Sequence, residues 1–498
     1  MMKFDPKDWI FKSQRQRVSP FPNYMSMECV GDGMKASVGY DVDEVLYFIT
    51  HNVHYLFLTK KTYNRVGRGV TNNIRGDNKL ITRLVKEQNK YGQILARFCQ
   101  KANQKNLKAI SNRALYNLYA DFEKKYKQVY LRYGWVWVAE DFIMQDLLEI
   151  VSKKIKDAAS AVDAVDALTK EPTAMVATLE RKALLELCQK VFSKGQWRRL
   201  IKEKNEAKIR ADKKLVRLVN KHVADYFWVT RDYEDPAIDF KNVVERLNQY
   251  QKSDWAGEYK KLVKDLKQSK QARERYLKEL KLTKEEKDYF ASMRVTAYLK
   301  ELRKRYVSEA LYYFDKVLLE IGQRLFLSIK QVRYMATWDV KAGFLEGEDL
   351  TDELNKRNEL SLWYSHEGKT DIYTGKVARE NFAKFCAVNK NATEFTGMPV
   401  SPGIARGPVR IIMNPEECDK VRPGEVIVSV QVVPSFSTAI MRAAALVCDG
   451  GHGITTHPAT LAREAGIPAV IQTRFAREAL KDGDIVEVDG YKGTVKKL

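Results

Sequence analysis

The chain has 498 residues, 45% of them hydrophobic and 30% charged, which is too long for one ordinary core and too apolar for a disordered chain. Neither a run of eighteen apolar residues nor, in the opening MMKFDPKDWIFKSQRQR, the apolar core of a signal peptide occurs, so no membrane is expected as a partner and the cytoplasm is the expected location. The formal charge is +22, and residues 391–498 hold 12 basic against 12 acidic side chains, so the whole excess lies in residues 1–390.

A surface of that sign attracts nucleic acid, an acidic protein or an anionic small molecule, but solvated lysine-rich helix faces give the same count. With no recognisable nucleic-acid motif, binding of nucleic acid is not expected. The six cysteines lack CxxC or zinc-like spacing and read as reduced, scattered, partly buried thiols.

Glycine and proline divide the chain. The last 108 residues hold 11 of 26 glycines and 8 of 13 prolines, so long helices are expected before them and short strands with turns within them. In chain order, His51 and His54 stand at HxxH spacing, on one face if helical. With no third ligand in view they read as ordinary helix residues, and no metal or cofactor site is assigned. The stretch NRVGRGVTNNIRGDNK, residues 64–79, is basic and glycine-containing but lacks a preceding strand and a suitably spaced lysine. It reads as a turn, not a nucleotide loop. RALYNLYADFEKKYKQVYLRYGWVW and LIKEKNEAKIRADKKLVRLVNKHVADYFW carry helical spacing, and the aromatics of residues 133–142 read as core before pocket lining. The run from Leu282 opens with a capping box, Thr283 and Glu286, and keeps its apolar period through Ile321. Near 360–375 two β-rich runs flank Gly368 as a hairpin.

The expected organisation is therefore a mainly α-helical part, 1–388, a linker, 389–396, and a compact α/β domain, 397–498. In the last, the β-rich runs GPVRIIM, EVIVSV, AALVCD, PAVIQT, DIVEVDG and GTVKKL alternate with helical STAIMRAA and ATLAREA. One stretch there carries chemistry: CDGGHGITTHPATLAREAGIPAVIQ, residues 448–472. Pro458 fits a first helical position, which makes His457 the expected N-cap of a helix. Such an end has partial positive charge and outward N–H groups and stabilises a phosphate. Gly450, Gly451 and Gly453 let backbone approach a ligand, and Thr455 and Thr456 add hydroxyls that orient an imidazole or bond phosphate oxygens. A neutral imidazole in that place is suited to accept a phosphoryl group and pass it on.

GITTHPATLAREAGIPAV resembles the swivelling phosphohistidine domain of the phosphoenolpyruvate-utilising enzymes, which include phosphoenolpyruvate synthase, pyruvate phosphate dikinase and rifampin phosphotransferase. The family run is roughly GG-x-T-S/C-H-A-A-x-x-A-R-E-x-G-I-P-A-V. Gly453, Thr455, His457, Ala459, Ala462, Arg463, Glu464 and Gly466 through Val470 match it, within a resemblance covering about 396–498. His452 stands where the first paired glycine usually sits, Thr456 replaces Ser or Cys, and Pro458 replaces Ala.

The resemblance implies that His457 is the phosphorylated, catalytic residue. Gly453, Thr455, Thr456 and Arg463 then bind or orient phosphate, and Glu464 is structural. In complete family members an ATP-grasp domain phosphorylates the histidine, and neither that domain nor a (β/α)₈ barrel is legible in residues 1–390. The helical part with its late hairpin resembles the substrate-side domain of the rifampin phosphotransferase type. Together these resemblances imply a phosphotransferase component that needs a separate ATP-grasp subunit using ATP and Mg, binds no cofactor itself, and presents a small-molecule acceptor on its helical part. A regulator or scaffold with a phosphorylatable or relic histidine domain is the alternative.

Overall fold

The structure, a computed structural model, describes residues 4–498 apart from 52, 171–175, 232–233, 388, 390, 434–435 and 452–455. Its contacts divide the chain into two units, one of residues 1–77, 106–162 and 317–498, the other of 78–105 and 163–316. The architecture is a mainly helical chain ending in an α/β domain.

In the first unit, β1 (Trp9–Gln16), β2 (Glu44–Thr50), β3 (Val53–Thr59), β4 (Ser361–His366) and β5 (Lys369–Tyr373) form one antiparallel sheet in the order β1-β3-β2-β4-β5. The β4–β5 pair is the hairpin expected near 360–375. Its turn takes positive φ at both Glu367 (48°) and Gly368 (76°), the hand that suits a two-residue hairpin. The other three strands fall where only helix was expected. EVLYFIT and VHYLFLT are β-branched and aromatic runs around a short turn, and side-chain pairing across the strands overrides any helical reading. His51 therefore lies in the β2–β3 turn and His54 on β3, not on a common helix face.

Alternation along these strands gives the sheet two apolar faces. Leu46, Phe48, Phe57, Leu362 and Tyr364 cluster with Trp9 and with Phe385 of the helix Gly375–Phe385. On the opposite face Tyr47 stacks on Trp363 at 5.8 Å, below Tyr24 of the helix Pro20–Gly31. Residues 64–79 are not a turn. They lie mostly in the helix Lys60–Gly76, where a Cβ on Gly67 would meet the Phe142 ring at 2.1 Å and one on Gly69 the Tyr40 ring at 2.2 Å. These glycines serve close packing. Tyr133, Trp135 and Phe142 are buried core residues.

The regular elements of the second unit are all helices among its described residues. Leu184, Trp197, Ile201, Leu215, Val219, Trp228, Phe240 and Val243 share one core. Glu180 crosses it, accepting hydrogen bonds from both terminal nitrogens of Arg246 (2.7 and 2.9 Å) and lying 2.9 Å from His222 Nε2. The 42-residue helix Lys284–Leu325 begins at the expected box, with Glu286 N donating to Thr283 Oγ1 at 3.1 Å and Thr283 N to Glu286 Oε2 at 2.8 Å.

The α/β domain, also in the first unit, adds β6 (Glu394–Thr396), β7 (Met398–Ser401), β8 (Ile404–Ile411), β9 (Val426–Ser429), β10 (Ala445–Cys448), β11 (Ala469–Ile471), β12 (Ile485–Asp489) and β13 (Thr494–Lys497). Their order is β6-β13-β12-β8-β9-β10-β11-β7, and β8 through β11 run parallel. The last three residues of the stretch read as linker form β6, paired with β13. Alternate residues feed separate cores. Ile427, Leu446, Ala469 and Ile471 face the helix His457–Ala465, and Val426, Val428, Ala445, Val447 and Val470 face the short helix Ala476–Ala479. No described helix is long and apolar enough to cross a membrane.

Candidate functional site

The site is built at the carboxyl end of β10, the place where open parallel sheets present ligands. Strand pairing carries the chain outward: Asp449 N donates to Ser429 O (2.9 Å) and Gly450 N to Val430 O (3.0 Å). Gly451 comes next with φ 95°, which favours glycine. Gly453 and Thr455, with His452, lie outside the described residues.

Thr456 is extended (φ −76°, ψ 160°) and caps the helix, so His457 is its first residue and Pro458 its second. The expectation of His457 as N-cap is thus off by one. A proline at the second position still suits a helix start, because its missing N–H is one of those a first turn leaves unbonded within the helix. Thr456 O accepts from Thr460 N at 2.9 Å, closing the first turn. At the other end Gly466 takes φ 69°, and Ile467 N donates to Ala462 O at 3.1 Å. That left-handed C-terminal cap turns the chain sharply into Pro468 and β11.

The helix is held by one face. Pro458, Ala459 and Ala462 are buried against the sheet, while Thr456 and His457 are half-buried at its rim. Small side chains let the helix lie close to β10 and β11, which fixes where its first turn points. Arg463 sits more than a turn from His457, and its Nη1 donates to Val400 O on β7 at 3.0 Å, tying helix to sheet. Glu464 is exposed. The structure thus places Thr456 and His457 together at the positive end of the helix and Arg463 farther along it. Among the described residues, no group of three or more His, Cys, Asp or Glu side chains could hold a metal ion.

Asp449 and Glu478 belong to this neighbourhood and drew no attention in the sequence. Asp449 is fully buried and accepts from Thr473 Oγ1 (2.7 Å), Ala476 N (2.8 Å) and Arg477 N (3.0 Å). It therefore ties the root of the histidine loop to the loop after β11. Burial, then the charge of Glu478, push its carboxyl up to about 7, against these hydrogen bonds. Burial likewise raises Glu478 above the ordinary carboxylate range, and pushes the neighbouring Cys448 thiol up to about 12. An aspartate directly after a core strand was the available signal. Glu478 is far in sequence and had none.

The C-terminal domain thus combines a sheet with a parallel centre and a histidine at the start of a sheet-packed helix. Residues 421–493 match the family model described as PEP-utilising enzyme, mobile domain. A probable phosphoenolpyruvate synthase of Archaeoglobus fulgidus is 46% identical over 99 residues, 20% of this chain and 13% of that protein. The phosphoenolpyruvate synthase of Pyrococcus furiosus is 45% identical over 107 residues, again 20% and 13%. An uncharacterized phosphotransferase of Bacillus subtilis, YvkC, is 35% identical over 165 residues, 32% of this chain and 20% of its own. The matches thus span well under two thirds of these curated relatives. Among solved structures, the aconitase X of Thermococcus kodakaraensis aligns with 22% of this chain and 99% of its own, at 19% identity and a TM-score of 0.18.

Proposed function

We propose that the chain is a phosphotransferase component that carries a phosphoryl group on His457. It would take the group from a separate ATP-grasp-type subunit using ATP and Mg and deliver it to a small-molecule acceptor held by the rest of the chain. The observation that carries this reading is His457 at the first position of a sheet-anchored helix, inside residues that match the PEP-utilising mobile-domain model.

The chemistry is set by that place. A ring nitrogen of the neutral imidazole attacks the β-phosphorus of ATP as the P–O bond to AMP breaks, the proton on the other ring nitrogen is then free to leave, and water cleaves the γ-phosphate away as inorganic phosphate to leave one phosphoryl group on the ring. The helix end lies where negative charge gathers on the phosphoryl oxygens and stabilises it. The acceptor's hydroxyl oxygen next displaces the imidazole, so the N–P bond breaks as the new O–P bond forms and the hydroxyl proton passes to a base. Thr456 is proposed to orient the imidazole from the adjoining cap position. Gly453, Thr455 and Arg463 are proposed to serve the phosphate through the family likeness.

The test is phosphate incorporation. The protein and His457→Ala are incubated with lysate of the source cells and ATP labelled at the β-phosphate. We expect acid-labile, alkali-stable label on the wild type and none on the variant. An unlabelled wild type beside a labelled dikinase in the same lysate would refute the reading and favour a regulatory or scaffold role.

A further inference from the structure

Much of the positive charge of the second unit is gathered in one short stretch. Residues 194–221 hold 11 basic and 3 acidic side chains, an excess of 8. They fold as the helices Gly195–Glu203 and Glu206–Ala211 and the first half of Lys213–Tyr226. The last helix buries Leu215, Val219 and His222, which turns Lys213, Arg217 and Lys221 outward. Four residues apart, these three cations stand on one face about 6 Å from one to the next. With Arg210, Val216 and Asn220 they line an open groove of about 610 Å³.

Like charges four residues apart destabilise a helix, and this face carries two such pairs in a row. Lys213, Lys214 and Arg217 are exposed and form no ion pair among the described residues. Arg210 is held in place, with its Nε donating to Glu206 Oε1 at 2.7 Å and its guanidinium 4.3 Å over the Phe240 ring. Lys221 Nζ meets Asp225 Oδ2 at 3.0 Å. Exposed pairs of this kind are weak and yield readily to a stronger anion. The nearest acid in sequence, Asp212, is engaged elsewhere. Its Oδ1 accepts from Lys214 N and Leu215 N at 3.0 Å each, and its Oδ2 from Trp197 Nε1 at 2.7 Å.

We propose that this groove binds the phosphate backbone of a double-stranded nucleic acid, without regard to base sequence, through Arg210, Lys213, Arg217 and Lys221. Its lining separates the polyanions that could fill it. A protein partner would need an apolar or aromatic centre, where lysine is depleted, and the one apolar residue here is the half-buried Val216. A single strand is held by bases stacked on aromatic side chains, and none of the lining residues is aromatic. A duplex offers one negative charge per about 1.7 Å of its axis, so a row of cations finds phosphates in any register. Contacts to phosphate depend on charge and spacing and require no motif, which is why the sequence pattern does not announce this surface. The proposal is independent of the chemistry at His457.

The test is fluorescence anisotropy of the full chain with a labelled duplex, DNA and RNA in separate arms, between about 0.05 and about 0.2 M salt. Four phosphate contacts give a slope of log affinity against log salt of about −3 to −4, so binding should weaken about a hundredfold over that range. Lys213→Ala with Arg217→Ala should make the slope shallower by about 2 and weaken low-salt binding at least about tenfold. Lys213→Arg with Arg217→Lys keeps the charge and should bind like the wild type. Lys264→Ala with Lys267→Ala removes the same charge from exposed positions of the helix Trp255–Glu279 and should change neither affinity nor slope. Binding of either duplex in this pattern supports the proposal and tells which nucleic acid is preferred. Failure to bind both duplexes, or an equal loss in the Lys264/Lys267 variant, overturns it. So does tighter binding of a single strand, or of polyglutamate of equal charge, the latter pointing to an acidic protein instead.

Discussion

His54 lies on β3 with its ring 5.1 Å from that of Tyr47, and its Nε2 is buried without a partner. Burial, with the nearby Arg15 charge, holds its value down at about 3. The unfolded chain takes up a proton near pH 6.5 that the folded sheet refuses, so folding stability falls as pH drops from 6.5 and stops falling near 3. The slope is about 1.4 kcal/mol per pH unit. Urea unfolding at pH 7 and pH 4.5 should show His54→Leu spared about 2–3 kcal/mol of the loss the wild type suffers. Equal losses in both proteins would show that the imidazole finds a stabilising partner when charged. The same residue marks a limit of sequence reading. HxxH spacing is compatible with helix and strand alike, and pairing with β2 across the short turn decides between them.

Among the elements, helix ends were the most legible. Thr283 with Glu286 is local chemistry, because the groups that satisfy a helix end lie within a few residues of it. The histidine helix was misplaced by one residue for the same reason: proline is accepted at either of the first two positions, and only the extended backbone of Thr456 fixes the start. Packing between helices is less local. Glu180 binds Arg246 and His222 from helices 42 to 66 residues away, and nothing near it in sequence announces this. Burial pushes its carboxyl up, but the hydrogen bonds of His222 and Arg246 and the Arg246 charge leave it below the ordinary range. Glu180→Ala leaves the half-buried Arg246 guanidinium and the buried His222 ring without their carboxylate partner and should cost the second unit about 3 kcal/mol, seen as an earlier thermal transition. An unchanged transition would mean that water replaces the carboxylate without loss.

At the scale of the whole molecule, charge is distributed by unit. Residues 78–105 and 163–316 hold 43 basic and 26 acidic side chains, +17 of the total +22. That unit repels itself, and salt screens the repulsion, with a Debye length that falls from about 30 Å at 0.01 M to about 10 Å at 0.1 M. Its unfolding transition should rise in temperature between these salt concentrations. A falling transition would show that ion pairs such as Glu180–Arg246 outweigh the net charge.

The sequence by itself determined the helical bulk, the late hairpin, the strand-rich tail and, to within one residue, the place of His457 at the start of a helix. Each rests on residues close together in the chain: periodicity, breakers, caps and an ungapped family run. Tertiary structure alone decided the rest. It turned residues 9–16 and 44–59 into strands of one sheet with 361–373, because strand pairing draws on partners hundreds of residues apart. It buried Asp449 beside Glu478, and set the adjoining Gly450 against Gln14 of a strand at the far end of the chain. A carboxylate's neighbours, and so its proton, are set by the space the fold leaves around it, which no stretch of sequence contains.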